Sequence, residues 1–129
     1  TLETVTFWSN LDKLKADVTA AVTGALGDQG TPAVVMCHIS HVYPTGASLY
    51  FTVIAKALEN PLEQWMKAKN AANAAIRAAG AAITHHHAVG TDHRGTYLEE
   101  IGDVQQTALR AVKDALDPKG LLNPGILLP

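Results

Sequence analysis

Residues Ala33-Val34-Val35-Met36-Cys37-His38-Ile39-Ser40-His41, Tyr43-Pro44-Thr45-Gly46 and Ala47-Ser48-Leu49-Tyr50-Phe51-Thr52-Val53 decide the fold. Side chains alternate across a strand, so Ala47, Leu49, Phe51 and Val53 line one apolar face, and Ser48, Tyr50 and Thr52 the other. The Pro-Thr-Gly stretch is a turn signal, and the two runs form an antiparallel hairpin. Working outward, Asn60 is an N-cap, Pro61 suits the first helical position and Glu63 follows in the first turn. Leu62, Trp65, Met66, Ala72 and Ile76 then share a helical face up to Gly80. Before the hairpin, a first helix starts near Ser9, with Leu11, Leu14, Val18, Val22 and Ala25 on one face, and ends in the Gly24–Gly30 region. After it, Ala81-Ala82-Ile83-Thr84 is expected as a third strand, residues 88–95 as a loop and Asp103–Leu116 as a third helix with Val104, Ala108, Ala111, Val112 and Ala115 inward. The expected order is α-β-β-α-β-α. The fold class is α+β: an antiparallel sheet with strands near 33–41, 47–56 and 81–84, and helices packed on one face.

The bulk numbers limit the function classes. The chain has 129 residues, room for one modest core. A net charge of −2 gives no basic footprint and excludes a nucleic-acid reading. Charged residues make up only 17%, so some faces are expected to be covered by other protein. No run of about 18 apolar residues exists to span a membrane, and Thr1-Leu2-Glu3-Thr4 is no signal peptide. The chain opens without Met, so an earlier part is expected to precede it. A single Cys37 in an apolar run reads as an inert buried thiol in a reducing, cytoplasmic setting. The tail from Leu121 is apolar without helical period and must lie against something.

Four of the six histidines fall between His85 and His93, three of them adjacent. Histidine ligates metals and moves protons near neutral pH. Residue types and spacing alone leave three readings open: a polar turn, a metal site, or a proton-handling or phosphate-binding cluster. On an extended strand, His85 and His87 point one way and His86 the other, so all three cannot reach one ion. No nearby Cys or Glu completes a tetrahedral set, although Asp92 and His93 are candidates. The expectation is therefore no metal. Tyr50 lies on the polar face of its strand, His38 and His41 on opposite faces, Tyr43 in the turn. Arg94 is either a solvated loop cation or an anion clamp. No glycine-rich nucleotide motif, nucleophile elbow or Cys-x-x-Cys occurs.

Ile83-Thr84-His85-His86-His87-Ala88-Val89-Gly90 resembles the three-histidine motif of the alkylglycerone-phosphate synthase family. Gly46-Ala47-Ser48-Leu49-Tyr50-Phe51 is similar to the strand that holds that family's active-site tyrosine. Asp117-Pro118-Lys119-Gly120-Leu121-Leu122-Asn123-Pro124-Gly125 resembles the chain end shared by FAD-linked oxidases. The three motifs stand in family order. The resemblance implies a ferredoxin-like cap-domain fragment of a vanillyl-alcohol-oxidase-type flavoenzyme. Residues 1–120 would be the C-terminal part of the cap (substrate) domain, and residues 121–129 a tail returning to an FAD-binding domain. It implies FAD held mainly by that missing N-terminal domain of the same polypeptide, with a small-molecule or lipid substrate and a possible homodimer. The reaction would exchange acyl for alkyl on dihydroxyacetone phosphate, an ether-lipid step without net redox. Tyr50, His85, His86 and His87 would then be catalytic, with one histidine moving the proton, and Arg94 would bind substrate. Ala88 stands where the family usually has glycine, and Thr91-Asp92-His93 departs from its loop. Two alternatives stay open: an FAD-linked oxidoreductase of a 2-hydroxy acid or related alcohol, and a stand-alone module binding a metal or partner. On either flavoenzyme reading the isolated chain is expected to be inactive.

Overall fold

The computed structural model describes residues 1–128 and divides into two compact units, Thr1–His87 and a second beginning at Ala88. The first unit runs β1 (Leu2–Phe7), a short 3₁₀ turn (Trp8–Asn10), α1 (Leu11–Gly27), β2 (Ala33–Val42), β3 (Gly46–Ala55) and α2 (Pro61–Ala78). The sheet order is β1-β3-β2, antiparallel throughout. Ala82 makes a single antiparallel bridge to Val5 on the free side of β1. With that bridge the order is the split βαβ of a ferredoxin-like unit, its last strand reduced to one residue pair.

The hairpin and its facing pattern match the alternation. Ala47, Leu49 and Phe51 are fully buried beside Leu2 and Thr4 of β1. Leu14, Val18, Val22 and Leu26 of α1 close over this inner face, and α1 packs on β2, β3 and α2. The cap of α2 forms as the residues dictate: Asn60 Oδ1 accepts from the Glu63 amide at 3.2 Å, and Pro61 occupies the first turn. Its buried face is Gln64, Ala68, Lys69, Ala72, Asn73 and Ile76. Leu62, expected on that face, is 70% exposed. Gln64 tolerates burial by using its whole amide: it donates to Thr31 Oγ1 and the Lys56 carbonyl and accepts from the Leu58 amide.

Three expectations need correction. β1 exists, and its polar Thr4 and Thr6 are inward, which hid its alternation. Residues 81–84 are not a strand beyond the Ala82 bridge, although Ile83 is buried. The first helix ends at Gly27, within the expected region, but Asn10, not Ser9, precedes it. Asn10 makes no cap bond; its amide donates to the Ala79 carbonyl and Thr6 Oγ1, tying α1 to the end of α2. Gly46 is required where β1 and β3 meet, since a Cβ there would stand 2.0 Å from the Thr6 carbonyl oxygen.

The second unit holds α3 (Thr91–Leu116), which begins inside the stretch expected as loop. Gly102, at φ 71°, breaks it into two pieces, a conformation glycine adopts without steric cost. No residue of α3 is fully buried, and Val104 is 84% exposed, so its expected inner face is not covered here. Leu121 and Leu122 are likewise exposed, while Leu128 is buried. Among the described residues, no helix is long and apolar enough to cross a membrane.

Asp117 is the lock of this unit. Its carboxylate accepts from Lys113 Nζ and from the Leu122 and Leu121 amides, both at 2.9 Å. The Lys113 contact first, then the two amides, hold its carboxyl down from an ordinary 3.8 to about 2 against the opposing effect of burial. A carboxyl depressed in the folded state stabilises above its unfolded value and loses that contribution as pH falls through the folded one. Asp117→Asn is therefore expected to speed amide exchange at Leu121 and Leu122 at neutral pH. It should also remove the wild-type rise in their exchange between pH 3.8 and about 2. Hydrogen exchange read by mass spectrometry checks both, and unchanged protection at neutral pH counts against the lock.

Candidate active site on the outer face of the sheet

The face of the sheet opposite α1 gathers the candidate residues. In one row across it stand Glu3 of β1, Tyr50 of β3 and His38 of β2, because Tyr50 is the register partner of both. The next position of β3 is Ser48, fully buried. Between Ile39 and Val42 the pairing of β2 slips by a bulge. Such an extra residue re-aims side chains, and here it turns His41 to the same face as Glu3. The expectation that His38 and His41 lie on opposite faces holds only for a regular strand.

The three adjacent histidines do not lie on an extended strand. His86 has φ 43°, and the His87 amide donates to the His85 carbonyl at 2.6 Å, so the segment is a tight turn. Its consequence is convergence: all three imidazoles reach one carboxylate. Glu3 Oε1 lies 3.4 Å from His85 Nδ1 and 3.6 Å from His41 Nδ1. Glu3 Oε2 lies 3.1 Å from His86 Nε2 and 3.2 Å from His87 Nε2. The premise that these histidines point in opposite directions is thus corrected by the backbone.

Glu3 is only 2% exposed. Burial pushes its carboxyl up. The Ser48 and Ser40 hydroxyls and the neighbouring His85 and His86 imidazoles together outweigh burial and hold it below the usual carboxylate value. Ser40 Oγ donates to Oε1 at 3.0 Å and shares a 2.7 Å contact with Ser48 Oγ. Tyr43, in the hairpin turn, places its hydroxyl 3.0 Å from His85 Nε2, and Trp8 Nε1 fixes that turn by donating to the Tyr43 carbonyl. The rings of His85, His86, His87 and His41 form a chain of edge and tilted contacts with centroids 4.3–5.0 Å apart. Tyr50 meets His87 edge-on, with centroids 6.2 Å apart.

Of the residues singled out by sequence, Tyr50, His85, His86 and His87 are brought together. Arg94 stands on α3 in the second unit, where its guanidinium donates to the Gly125 carbonyl. Glu3, His41 and Tyr43 escaped the sequence reading. Glu3 was hidden in an unrecognised strand, and only a recognised β1 paired to Tyr50 would have found it. A metal set also appears that spacing could not give: Glu3, His41, His85 and His86 offer donor atoms within 4.8 Å of one another, a group able to hold a divalent cation. The Glu expected to be missing is present, supplied by β1.

An antiparallel split-βαβ sheet with a buried carboxylate under a histidine turn on its open face is the setting in which the comparisons stand. Residues 1–127 match the model of FAD linked oxidases, C-terminal domain, and the chain belongs to that family. Among its relatives, the alkyldihydroxyacetonephosphate synthase of Dictyostelium discoideum is 34% identical over 128 residues, 98% of this chain and 21% of the relative. The synthase of Trypanosoma brucei brucei is 35% identical over 123 residues, 95% of this chain and 19% of the relative. A solved alkyldihydroxyacetonephosphate synthase structure superposes with a TM-score of 0.63 at 28% identity, over 95% of this chain and 19% of that one. The chain thus spans about a fifth of the length of the curated relatives it matches.

The family is FAD-linked. Among the described residues, the glycines with positive φ end helices (Gly30, Gly80), break α3 (Gly102) or turn the tail (Gly120, Gly125). None belongs to a glycine-rich strand-to-helix turn that could cradle a pyrophosphate. These residues do not fit the dinucleotide part of FAD.

Proposed function

We propose that this chain is the substrate-side, C-terminal portion of an FAD-dependent enzyme that exchanges the acyl group of an acyl-dihydroxyacetone phosphate for a long-chain alkyl group. The products would be the alkyl ether and a free fatty acid, with no net oxidation. The observation that carries this reading is the convergence of His85, His86 and His87 on Glu3 beside Tyr50, on the face of the sheet opposite α1. An exchange of this kind needs a proton taken from carbon or hydroxyl and later returned, and imidazole and phenol are suited to both. His86 and His87 are about half exposed and can meet a substrate. Tyr50 is the proton donor or acceptor, one histidine transfers the proton, and the others line the pocket. Arg94, with one donor given to Gly125, keeps others for a phosphate.

FAD would be held mainly by another domain of the same polypeptide, and the exposed apolar surface of Leu121 and Leu122 is suited to lie against it. The tail from residue 121 would be the segment that returns to it. Burial pushes the Cys37 thiol up, which suits an inert thiol in a reducing, cytoplasmic compartment. A second reading, an FAD-linked oxidoreductase of a 2-hydroxy acid, is favoured by one observation, the four-residue donor set that could hold a cation.

The test is to incubate the whole protein with an acyl-dihydroxyacetone phosphate and a long-chain alcohol bearing an isotopic label. The expected result is label in an ether product and one fatty acid released per ether formed. Turnover of a 2-hydroxy acid with reduction of an added acceptor, and no ether, would favour the second reading.

A further inference from the structure

We propose that Glu3 is the positioning residue of this site: its carboxylate sets the tautomers of the histidine turn and thereby turns the Nδ1 lone pairs of His86 and His87 away from itself, where one of them can take the proton. An ionised carboxylate only accepts hydrogen bonds. An imidazole nitrogen 3.1–3.2 Å from it therefore carries a hydrogen, since a lone pair at that distance would face a lone pair. His86 and His87 both turn Nε2 to Glu3 Oε2. In their neutral forms the acceptor is then Nδ1, on the side of the ring away from the carboxylate.

His85 tests this assignment from within the structure. Its Nδ1 is buried and faces Oε1 at 3.4 Å, so by the same rule Nδ1 bears the hydrogen and Nε2 the lone pair. Nε2 is the atom that stands 3.0 Å from the Tyr43 hydroxyl, which is able to donate to it. A phenol hydroxyl gives or takes a hydrogen bond, so this contact is compatible with that assignment. Glu3 Oε2 and His85 Nδ1 are both buried without an aligned hydrogen bond, so the rings stand against the carboxylate at contact distance. Glu3 is set in turn by Ser40. A buried acid that fixes an imidazole's tautomer without itself transferring the proton is a known device in catalysis.

The cation alternative predicts the reverse. An ion held between Glu3, His41, His85 and His86 would take the lone pairs of the nitrogens that face the carboxylate. Those nitrogens would then carry no hydrogen. The two readings therefore differ in one observable, the protonated nitrogen.

The activity part of this inference rests on the proposed function, but the tautomers do not. The experiment uses the whole protein with ¹⁵N-labelled histidine, studied at alkaline pH by long-range ¹H–¹⁵N correlation, with assignments from single histidine variants. His86 and His87 are expected as Nε2–H tautomers and His85 as the Nδ1–H tautomer. An Nδ1–H form at His86 or His87, or nitrogen shifts that vanish with a chelator, overturns the proposal. Glu3→Gln, whose amide can face the rings with either a donor or an acceptor, should lose that uniform pattern. It should also lower kcat by on the order of tenfold or more with KM little changed, while Glu3→Asp keeps the tautomers and part of the rate. A rise in KM at unchanged kcat, or wild-type tautomers in Glu3→Gln, counts against it. If Glu3→Gln does not fold, the wild-type tautomers alone decide. Correct tautomers in an enzyme with no ether-forming activity would leave this inference standing and remove the proposed function.

Discussion

Replacing His86 or His87 by alanine is expected to lower turnover of the whole enzyme by about 10²–10⁴-fold, the range typical of a general acid or base, with flavin content unchanged. The two rings are half exposed and stand over Glu3, so removing one leaves no core cavity. It also leaves the other ring on Oε2, so the carboxylate keeps a partner. His85→Ala should differ. That ring is nearly covered, with 14% of its side chain exposed, and it links Tyr43 to Glu3. Its loss should lower activity and the melting temperature together, because a buried carboxylate loses a neighbour. Steady-state rates, flavin absorbance and thermal melts on the three variants check the pattern. Near-normal turnover in both His86→Ala and His87→Ala would return the turn to a structural role. So would equal loss of stability in all three.

The hairpin was legible because its apolar positions recur with period two around a strong turn, and that signal is local. The α2 cap was legible for the same reason: Asn60, Pro61 and Glu63 act within one turn. β1 was not, since Leu2, Thr4 and Thr6 point inward and two of these are polar, so burial of threonine erased the contrast that pattern reading needs. With β1 went Glu3, the residue that organises the site. The histidines were legible as residue types, but their arrangement was not. It depends on the left-handed φ of His86, and nothing in His85-His86-His87 requires that conformation. His41 depended on a bulge between Ile39 and Val42, set by pairing with β3 and not by the residues themselves. The first turns of α3 are hidden in the sequence by Gly95 and Gly102, which weaken a helical pattern. The family motifs supplied what periodicity could not, a reason to look at Tyr50 and the three histidines together.

Tyr50 carries the most direct test, because a single oxygen atom separates the two outcomes. It is half-buried on the outer face, paired in register with Glu3 and His38, and its ring meets His87 edge-on. Phenylalanine keeps the ring, the register and the contact with His87, so Tyr50→Phe should fold and bind flavin as the wild type does. Only a hydroxyl able to give or take a proton is lost. The measurement is kcat of the flavin-loaded Tyr50→Phe protein beside wild type under saturating substrate. If the outer face is where protons move, kcat falls by about 10²–10⁴-fold with flavin content and melting temperature unchanged. Wild-type kcat in a fully folded, flavin-replete Tyr50→Phe enzyme would contradict that account.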